Sequence, residues 1–405
     1  MEDAVPAPAA PADRFDWRRW RDRLLASPRF HRWAAATPGM RWMVRRQSRR
    51  LFDLVAGFTY SQILLSCVKL GLFEHLAQGP RDASALQDLT GLSERSLDIL
   101  LRGAVSLDLL EWRSASEDAG KRLVGLGMLG AVVAASPAIT ALVEHHQAVY
   151  DDLKDPVELL RHPEQSTQLR RYWAYAEDGY PTSESKGTGS GAARGLAAER
   201  VADYSELMAA SQPLVAEQVI AAFDFGRYRC LLDLGGGQGA FLSQVAARHP
   251  SLSLMLFDLP AVAERAKVRF AAEGLGARVV CHGGSFFDDP VPQGADLVSL
   301  VRVLYDHPDE RVLAILRAAR QALGDRGGDL ILAEPMSGTP GAEAMGDAYF
   351  GFYLLAMGKG RARTAEELSL LVLAAGFDRV RPVKTRVPLQ TGLLHAIAAP
   401  RESSR

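Results

Sequence analysis

The segment Leu231–Gly239, LLDLGGGQG, constrains this chain more than any other, because it sets a glycine loop directly between a strand and a helix. Glycines there let a ligand approach the backbone closely, and the N-terminus of the following helix favours a carboxylate or phosphate. The surroundings suit a parallel sheet with crossover helices. Apolar runs at Cys230–Leu234, Leu254–Phe257, Ala295–Val301 and Leu330–Ala333 alternate with helical patterns. The chain then ends differently: Arg379–Val387 and Leu393–Ala398 read as two strands joined by a short turn at Leu389–Gly392. Such a hairpin adds one antiparallel strand to an otherwise parallel sheet.

Two nucleotide cofactors compete for the loop. Gly235, Gly237 and Ala240 satisfy the dinucleotide pattern G-x-G-x-x-A. Asp258, ending the next strand in LFDLP, is suited to both ribose hydroxyls of either NAD or S-adenosylmethionine. The terminal hairpin, and Gly283–Asp288 (GGSFFD) ahead of the fourth strand where an adenine can be sandwiched, favour a class I methyltransferase; Phe286 reads equally well as a core residue. The chain has no G-x-x-x-x-G-K-[ST], H-E-x-x-H or G-x-S-x-G run, so phosphoryl transfer, zinc hydrolysis and nucleophile-elbow chemistry lack support. Cys67, Cys230 and Cys281 have no disulfide or metal-ligand spacing and read as structural thiols in a reducing compartment. No bound metal is expected.

With 405 residues, the chain is long enough for two packed domains. Its net charge of −1 hides an asymmetry: the first fifty residues carry twelve Arg against five acids, a balance of +7, leaving −8 for the rest. Four of the six Trp (Trp17, Trp20, Trp33, Trp42) share that stretch, after a Pro/Ala-rich start expected to be disordered. Arg with Trp suits contact with an anionic membrane surface; a helical arm packing on a partner subunit is the alternative. Helical potential spans Trp17–Ala26 and Met40–Arg50, with breaks at Ser27-Pro28 and Pro38-Gly39. Phe52–Ala77 has helical apolar spacing; Ala83–Leu89 and a helix capped by Ser93 follow, in a spacing that suggests a winged-helix module. The latter helix sets Arg95 and Arg102 against Glu94 and Asp98, too little cationic surface for a phosphate backbone, so nucleic acid is not an expected partner. Leu123–Val143 runs twenty-one residues without a charge, but its Gly/Ala content and Ser136-Pro137 predict a buried strand, turn and helix rather than a span. A Gly/Ser/Ala-rich flexible loop is expected over 181–199, then a linking helix over Val201–Phe223 containing Met208. The resulting divisions are a basic extension (1–50), a helical domain (51–200) and a cofactor domain (201–400). No secretion signal opens the chain, so a cytoplasmic location is expected, with peripheral contact to the cytoplasmic or photosynthetic membrane through the extension.

With these pieces placed, the chain from about Phe52 onward resembles the O-methyltransferases related to the caffeic acid and acetylserotonin enzymes. The motifs are LLDLGGGQGAFL, FDLPAV, GGSFFDD, RVLYDHPDERVLAILRAARQAL, ILAEPM and RTAEEL…AAGF. FDLVAGFTYSQILLSCVKLGLFEHL, LMAASQPLVAEQVI and GDAYFGFYLLAMGKGRART narrow the likeness to hydroxyneurosporene (demethylspheroidene) O-methyltransferases of purple phototrophic bacteria. The resemblance implies a Rossmann-like class I methyltransferase sheet behind a winged-helix-like dimerisation domain. It further implies a homodimer, S-adenosylmethionine as cofactor, and the C1 tertiary hydroxyl of an acyclic carotenoid as acceptor. A soluble phenol or polyketide hydroxyl is the alternative acceptor, and a catalytically silent cofactor-binding regulator or a nicotinamide oxidoreductase are alternative classes.

The resemblance puts Gly235, Gly237, Asp258 and Phe286 at the cofactor, with Met208 and Arg302 nearby. Ser285 stands where the family often has an adenine-binding Asp, and Tyr305-Asp306-His307 replaces the family's His-Asp-Trp. Chemistry favours His307 as base, because a neutral imidazole (pKa near 6.5) accepts a proton at neutral pH whereas tyrosine (near 10) chiefly orients. Family position favours Tyr305. Glu334 matches the carboxylate that orients the family's base and is expected to hold His307 or Tyr305. The bland readings are a core residue for Tyr305 and an exposed turn residue for His307.

Overall fold

The computed structural model describes residues 16–114, 122–173, 212–386 and 391–400. The Pro/Ala-rich start, the loop over 181–199 and Met208 lie outside the described residues. The chain forms two compact units, one within Met1–Gly71 and Pro80–Gly127, the other within Leu72–Gly79 and Met128–Arg405. Residues 128–173 therefore belong to the unit that carries the large sheet, and the expected boundary near 200 falls among residues not described.

In the first unit, α1 (Trp17–Leu25) is capped by Asp16, whose carboxylate accepts the N–H groups of Arg18 and Arg19. Ser27 caps α2 (Pro28–Ala36), a helix the sequence reading did not place. The expected helices Met40–Arg50 and Phe52–Ala77 merge, up to Lys69, into one 32-residue helix, α3 (Pro38–Lys69), since no Gly or Pro interrupts the chain at Leu51. The expected boundary at residue 50 thus lies inside a helix. By length and composition α3 is able to cross a membrane, with 17% of its qualifying window buried. Leu51, Phe52, Leu54, Val55 and Phe58 are exposed on it. After α4 (Leu72–Ala77), which belongs to the other unit, come β1 (Arg81–Asp82), α5 (Ala83–Thr90), α6 (Glu94–Ser106), β2 (Leu110–Ser114) and β3 (Arg122–Leu126). The strands form an antiparallel sheet in the order β1-β3-β2, completing the anticipated winged helix. Ser93 caps α6, whose Leu97, Leu101 and Ala104 are buried, and Arg102 pairs with Asp98 of its own helix at 2.7 Å.

The second unit opens with α7 (Met128–Ala134) and α8 (Pro137–Asp152), bent by 93° at the break before Pro137. The uncharged stretch is thus strand, helix, break and helix, and it is only partly buried: Met128, Leu129 and Val132 are exposed. Next come α9 (Pro156–Arg161), α10 (Gln168–Trp173) and the described part of α11 (212–222). The alternation that follows is β4 (Cys230–Leu234), α12 (Ala240–Arg248), β5 (Ser253–Asp258), α13 (Pro260–Ala272) and β6 (Val279–Gly283). It continues with β7 (Leu297–Val301), α14 (Asp309–Ala322), β8 (Gly328–Glu334), β9 (Met336–Ser337), α15 (Phe350–Met357) and β10 (Arg363–Thr364). Helix α16 (Ala365–Ala374) precedes β11 (Arg379–Val383) and β12 (Gly392–Ala398).

Seven strands order as β11-β12-β8-β7-β4-β5-β6, and only β12 runs against its neighbours, as the terminal hairpin predicts. Buried β4, β7 and β8 side chains pack on α14 and α16 on one face and on α11, α12 and α13 on the other. Because β4, β5, β7 and β8 are parallel, their C-terminal ends gather the glycine loop, Asp258, Arg302 and Glu334 along one edge.

Candidate active site

The glycine loop is positioned by the strand beneath it. The Gly235 N–H donates to the Phe257 carbonyl at 2.8 Å, so the loop leaves β4 bound to β5. Gly235, Gly237 and Gly239 all have positive φ (71°, 57° and 81°), and their reasons differ. A Cβ on Gly239 would sit 2.1 Å from Phe270, and one on Gly235 would sit 2.8 Å from Val303 and 3.3 Å from Phe286. Gly237 meets nothing within 4 Å and faces open space. Asp258 accepts the Gly237 N–H on Oδ2 (2.8 Å) and the Leu259 N–H on Oδ1 (2.7 Å). Burial raises its pKa to about 6, against the lowering effect of those two bonds. Phe286 packs on Phe257 with ring centroids 5.7 Å apart. Ser285 is committed locally: its hydroxyl donates to Asp288 and accepts the Phe287 N–H, shaping the turn.

The sequence reading missed Asp233. It lies buried in β4 opposite Ser299, whose hydroxyl donates to it at 2.6 Å, and burial raises its pKa to about 7. A Cβ on Gly236 would sit 2.7 Å from its Oδ2, so this carboxylate fixes the floor of the loop. An acidic residue amid the apolar residues of LLDL was the available signal.

The second half of the site is the 3₁₀ turn Leu304–Asp306. Glu334 caps it, accepting N–H groups from Val303 (2.9 Å), Leu304 (2.7 Å) and Tyr305 (3.4 Å). The expectation that Glu334 holds the side chain of Tyr305 or His307 is therefore corrected: it orients the turn's backbone, because three adjacent N–H groups point at it. Burial lifts its pKa to about 7. Arg302, at the end of β7, adopts a left-handed φ of 60°, and its side chain hydrogen-bonds Tyr305 while its charge acts on Asp306 and Glu334. That commitment places it beside the turn.

Tyr305 is buried in a core shared with α8, α9, α10 and α15, and its phenol is pushed well above its ordinary pKa by burial and neighbouring carboxylates. Burial thus opposes its ionisation, and its packing is that of a core residue. His307 lies on the other side of the turn, 6.1 Å from the ring of Phe287. Burial and the charges of Lys359, Arg311 and Arg363 lower its pKa to about 4, making it a weaker proton acceptor than free imidazole. Behind the turn, buried Arg363 donates to the carbonyls of Leu304 (3.1 Å) and His307 (2.7 Å) and pairs with Asp309, while the Arg361 N–H donates to Tyr305 O.

A glycine loop facing open space, an Asp at the next strand's end and a capped turn two strands away agree with the comparisons. Residues 176–378 match the O-methyltransferase domain family, and 52–136 the O-methyltransferase dimerisation domain. The chain is 42% identical over 359 residues to demethylspheroidene O-methyltransferase of Cereibacter sphaeroides, covering 89% of each protein. It belongs to the O-methyltransferase family. Acetylserotonin O-methyltransferase of Mus musculus is 31% identical over 368 residues, 88% of this chain and 89% of that one. Human N-acetylserotonin methyltransferase, solved with S-adenosylmethionine, shares the fold (TM-score 0.68, 24% identity, 87% of this chain and 98% of that one). The protein is an S-adenosylmethionine-dependent O-methyltransferase, and its dimerisation domain supports a homodimer.

Against this family's pattern, one cluster stands out that the sequence reading did not single out. His145 Nε2 bonds the Tyr353 hydroxyl at 2.8 Å, and His146 lies 5.5 Å from the ring of Tyr349 and 6.3 Å from that of Tyr150. A π-helical turn, Ala344–Tyr349, delivers Tyr349, and such turns recur at functional sites. Adjacent histidines, with aromatics spaced as in Tyr349-Phe350…Tyr353, were the signal.

Proposed function

We infer that this O-methyltransferase acts on the C1 tertiary hydroxyl of an acyclic carotenoid, in spheroidene- or spirilloxanthin-type synthesis. The observation that carries this reading is the 42% identity to a demethylspheroidene O-methyltransferase across nine-tenths of both chains. A long polyene alcohol resides in a bilayer, and the extension suits that source. Trp17, Trp20, Trp33 and Trp42 are each about half or more exposed among the arginines of α1–α3, as a segment resting on anionic lipid requires. The exposed apolar residues of α3 lie within the dimerisation domain or beside it and fit a homodimer interface.

The residues at the strand ends fit S-adenosylmethionine. The open space at Gly237 lets the backbone approach the ligand, and each Asp258 oxygen, holding one N–H, retains a lone pair for a ribose hydroxyl. Gly235 and Phe286, which pack together, are the residues we assign to the adenine side. When bound, the cofactor supplies an electrophilic methyl group for in-line displacement. The chain's own task is to align the acceptor oxygen and exclude water, with Glu334 fixing the turn on which the acceptor rests. Incubation with labelled S-adenosylmethionine and carotenoid extracts from phototrophic and non-phototrophic bacteria tests the reading. Label in an acyclic carotenoid alcohol is expected; label only in added phenols would replace it.

A further inference from the structure

The reaction must lose a proton, and neither residue of the turn is built to take it. Tyr305 is a buried phenol whose oxygen accepts from Arg302 and whose ionisation burial opposes, and His307 faces Phe287 among three cations. The ring of Tyr305 leads elsewhere. Its ring meets Phe350 edge-on at 5.8 Å, Phe350 meets Tyr349 at 5.0 Å, and Tyr349 lies 5.5 Å from the imidazole of His146. The charge of Arg302, at the end of β7, acts on the Tyr349 phenol, so this aromatic wall adjoins the strand ends that carry the cofactor residues.

The two histidines differ in chemistry. His145 is engaged with the Tyr353 hydroxyl. His146 donates through Nδ1 to the Leu142 carbonyl one turn back on α8. Because a carbonyl only accepts, this contact calls for the proton on Nδ1 and turns Nε2 into the free ring nitrogen, the arrangement that orients imidazoles in general-base sites. His146 is only partly buried, so a proton it receives has a route to water.

We propose that His146 is the proton acceptor of the methyl transfer, occupying from α8 the role that the family places at the position of Tyr305. This deepens the proposed function and rests on its acceptor being a hydroxyl. As the acceptor oxygen–carbon bond forms and the donor's carbon–sulfur bond breaks, the hydroxyl proton passes to His146 Nε2, and the bonding pair stays on sulfur as neutral S-adenosylhomocysteine. The imidazolium then releases its proton to solvent. The groups next to His146 are His145 and Tyr150 on its own helix and Tyr349 from the π-helical turn, while Tyr353 lies against His145 and the charge of Arg302 reaches Tyr349.

The test compares His146→Gln with His307→Gln in the full chain. Each is checked first for an unchanged melting temperature and unchanged S-adenosylmethionine affinity by calorimetry. General-base removal predicts that His146→Gln lowers kcat about a hundredfold or more with KM changed less than about threefold, and loses the acid limb of the kcat profile. His307→Gln, a change on the turn itself, lowers kcat much less than His146→Gln does and keeps the acid limb. Free imidazole should restore part of the activity of His146→Ala, and in histidine-labelled protein the His146 ring signals should shift when acceptor is added to the cofactor-loaded enzyme. Wild-type kcat and pH profile in His146→Gln, or their loss in His307→Gln instead, overturns the assignment. The acceptor is the carotenoid alcohol. If wild type leaves it unmethylated, the substrate reading falls, and the same ranking is measured on a neutral phenol, where it still decides for or against His146.

Discussion

Asp258→Asn isolates the charge at the cofactor site while nearly keeping its shape. In the cofactor-free protein the Asp258 carboxyl has its pKa raised to about 6 by burial. If only the ionised form binds the ribose hydroxyls, the fraction of competent enzyme falls about tenfold between pH 7.5 and pH 5, which is about 1.4 kcal/mol of binding free energy. Stability moves the other way. A carboxyl whose folded pKa exceeds its unfolded value near 3.9 contributes stability that is complete below pH 4 and lost as pH rises through about 6, so cofactor binding and apo stability oppose each other across that window. Replacing the charged acceptor should weaken binding by a further 1.5 to 3 kcal/mol or so at neutral pH, roughly ten- to a hundredfold. Calorimetry with S-adenosylhomocysteine at pH 5, 6 and 7.5 reads both effects. Wild type should lose affinity with acid, whereas Asp258→Asn should bind weakly and without that slope. Equal affinities for the two proteins, or a slope surviving in the variant, would refute the role given to this carboxylate.

The other expected outcomes are separate in kind. Gly235→Ala brings a Cβ to 2.8 Å from Val303 at a positive φ and should cost about 1 to 3 kcal/mol of stability by thermal melting. Gly237→Ala shares the positive φ but has open space, so it should cost about 1 kcal/mol of stability and lose cofactor affinity out of proportion to its change in melting temperature. Glu334→Ala orphans three N–H groups and should cost about 3 kcal/mol, lowering the melting temperature by roughly 4–5 °C; a shift under about 1 °C would show that water replaces the carboxylate. For the extension, Trp17→Ala with Trp20→Ala should reduce co-sedimentation with anionic liposomes, as should raising salt from about 0.1 M to 1 M, which shortens screening from about 10 Å to about 3 Å. Unchanged sedimentation in both would leave the arginine-rich arm as a packing element.

The sheet was legible because its strands are near-continuous apolar runs and its glycine loop carries a backbone requirement that other residues meet poorly. The terminal antiparallel strand followed from two adjacent strand patterns. Boundaries were less legible where nothing in the sequence breaks a helix: α3 runs through Leu51, so a change in composition there did not mark a change in structure. The residues proposed for the cofactor could be located because they sit at strand ends, whose position a period-two pattern fixes. Roles in the turn could not. Whether Glu334 meets a side chain or three backbone amides depends on a 3₁₀ turn that no periodicity announces, and Asp233 and His146 matter through partners distant in the chain.

Arg363 has a bearing on how acceptor preference can be altered. Its guanidinium ties the carbonyls of Leu304 and His307, at both ends of the turn, to the segment that follows α15, and Gly360 packs so close to Tyr305 O that a Cβ would lie 2.1 Å away. The aromatic wall and the turn are therefore one rigid module rather than two adjustable parts. A hybrid enzyme that imports only α15 from a relative would inherit a helix cut from its brace. The transplantable unit is the whole stretch from the π-helical turn through Arg363, taken together with residues 302–309, and selection for a new acceptor should be expected to change the two stretches in step.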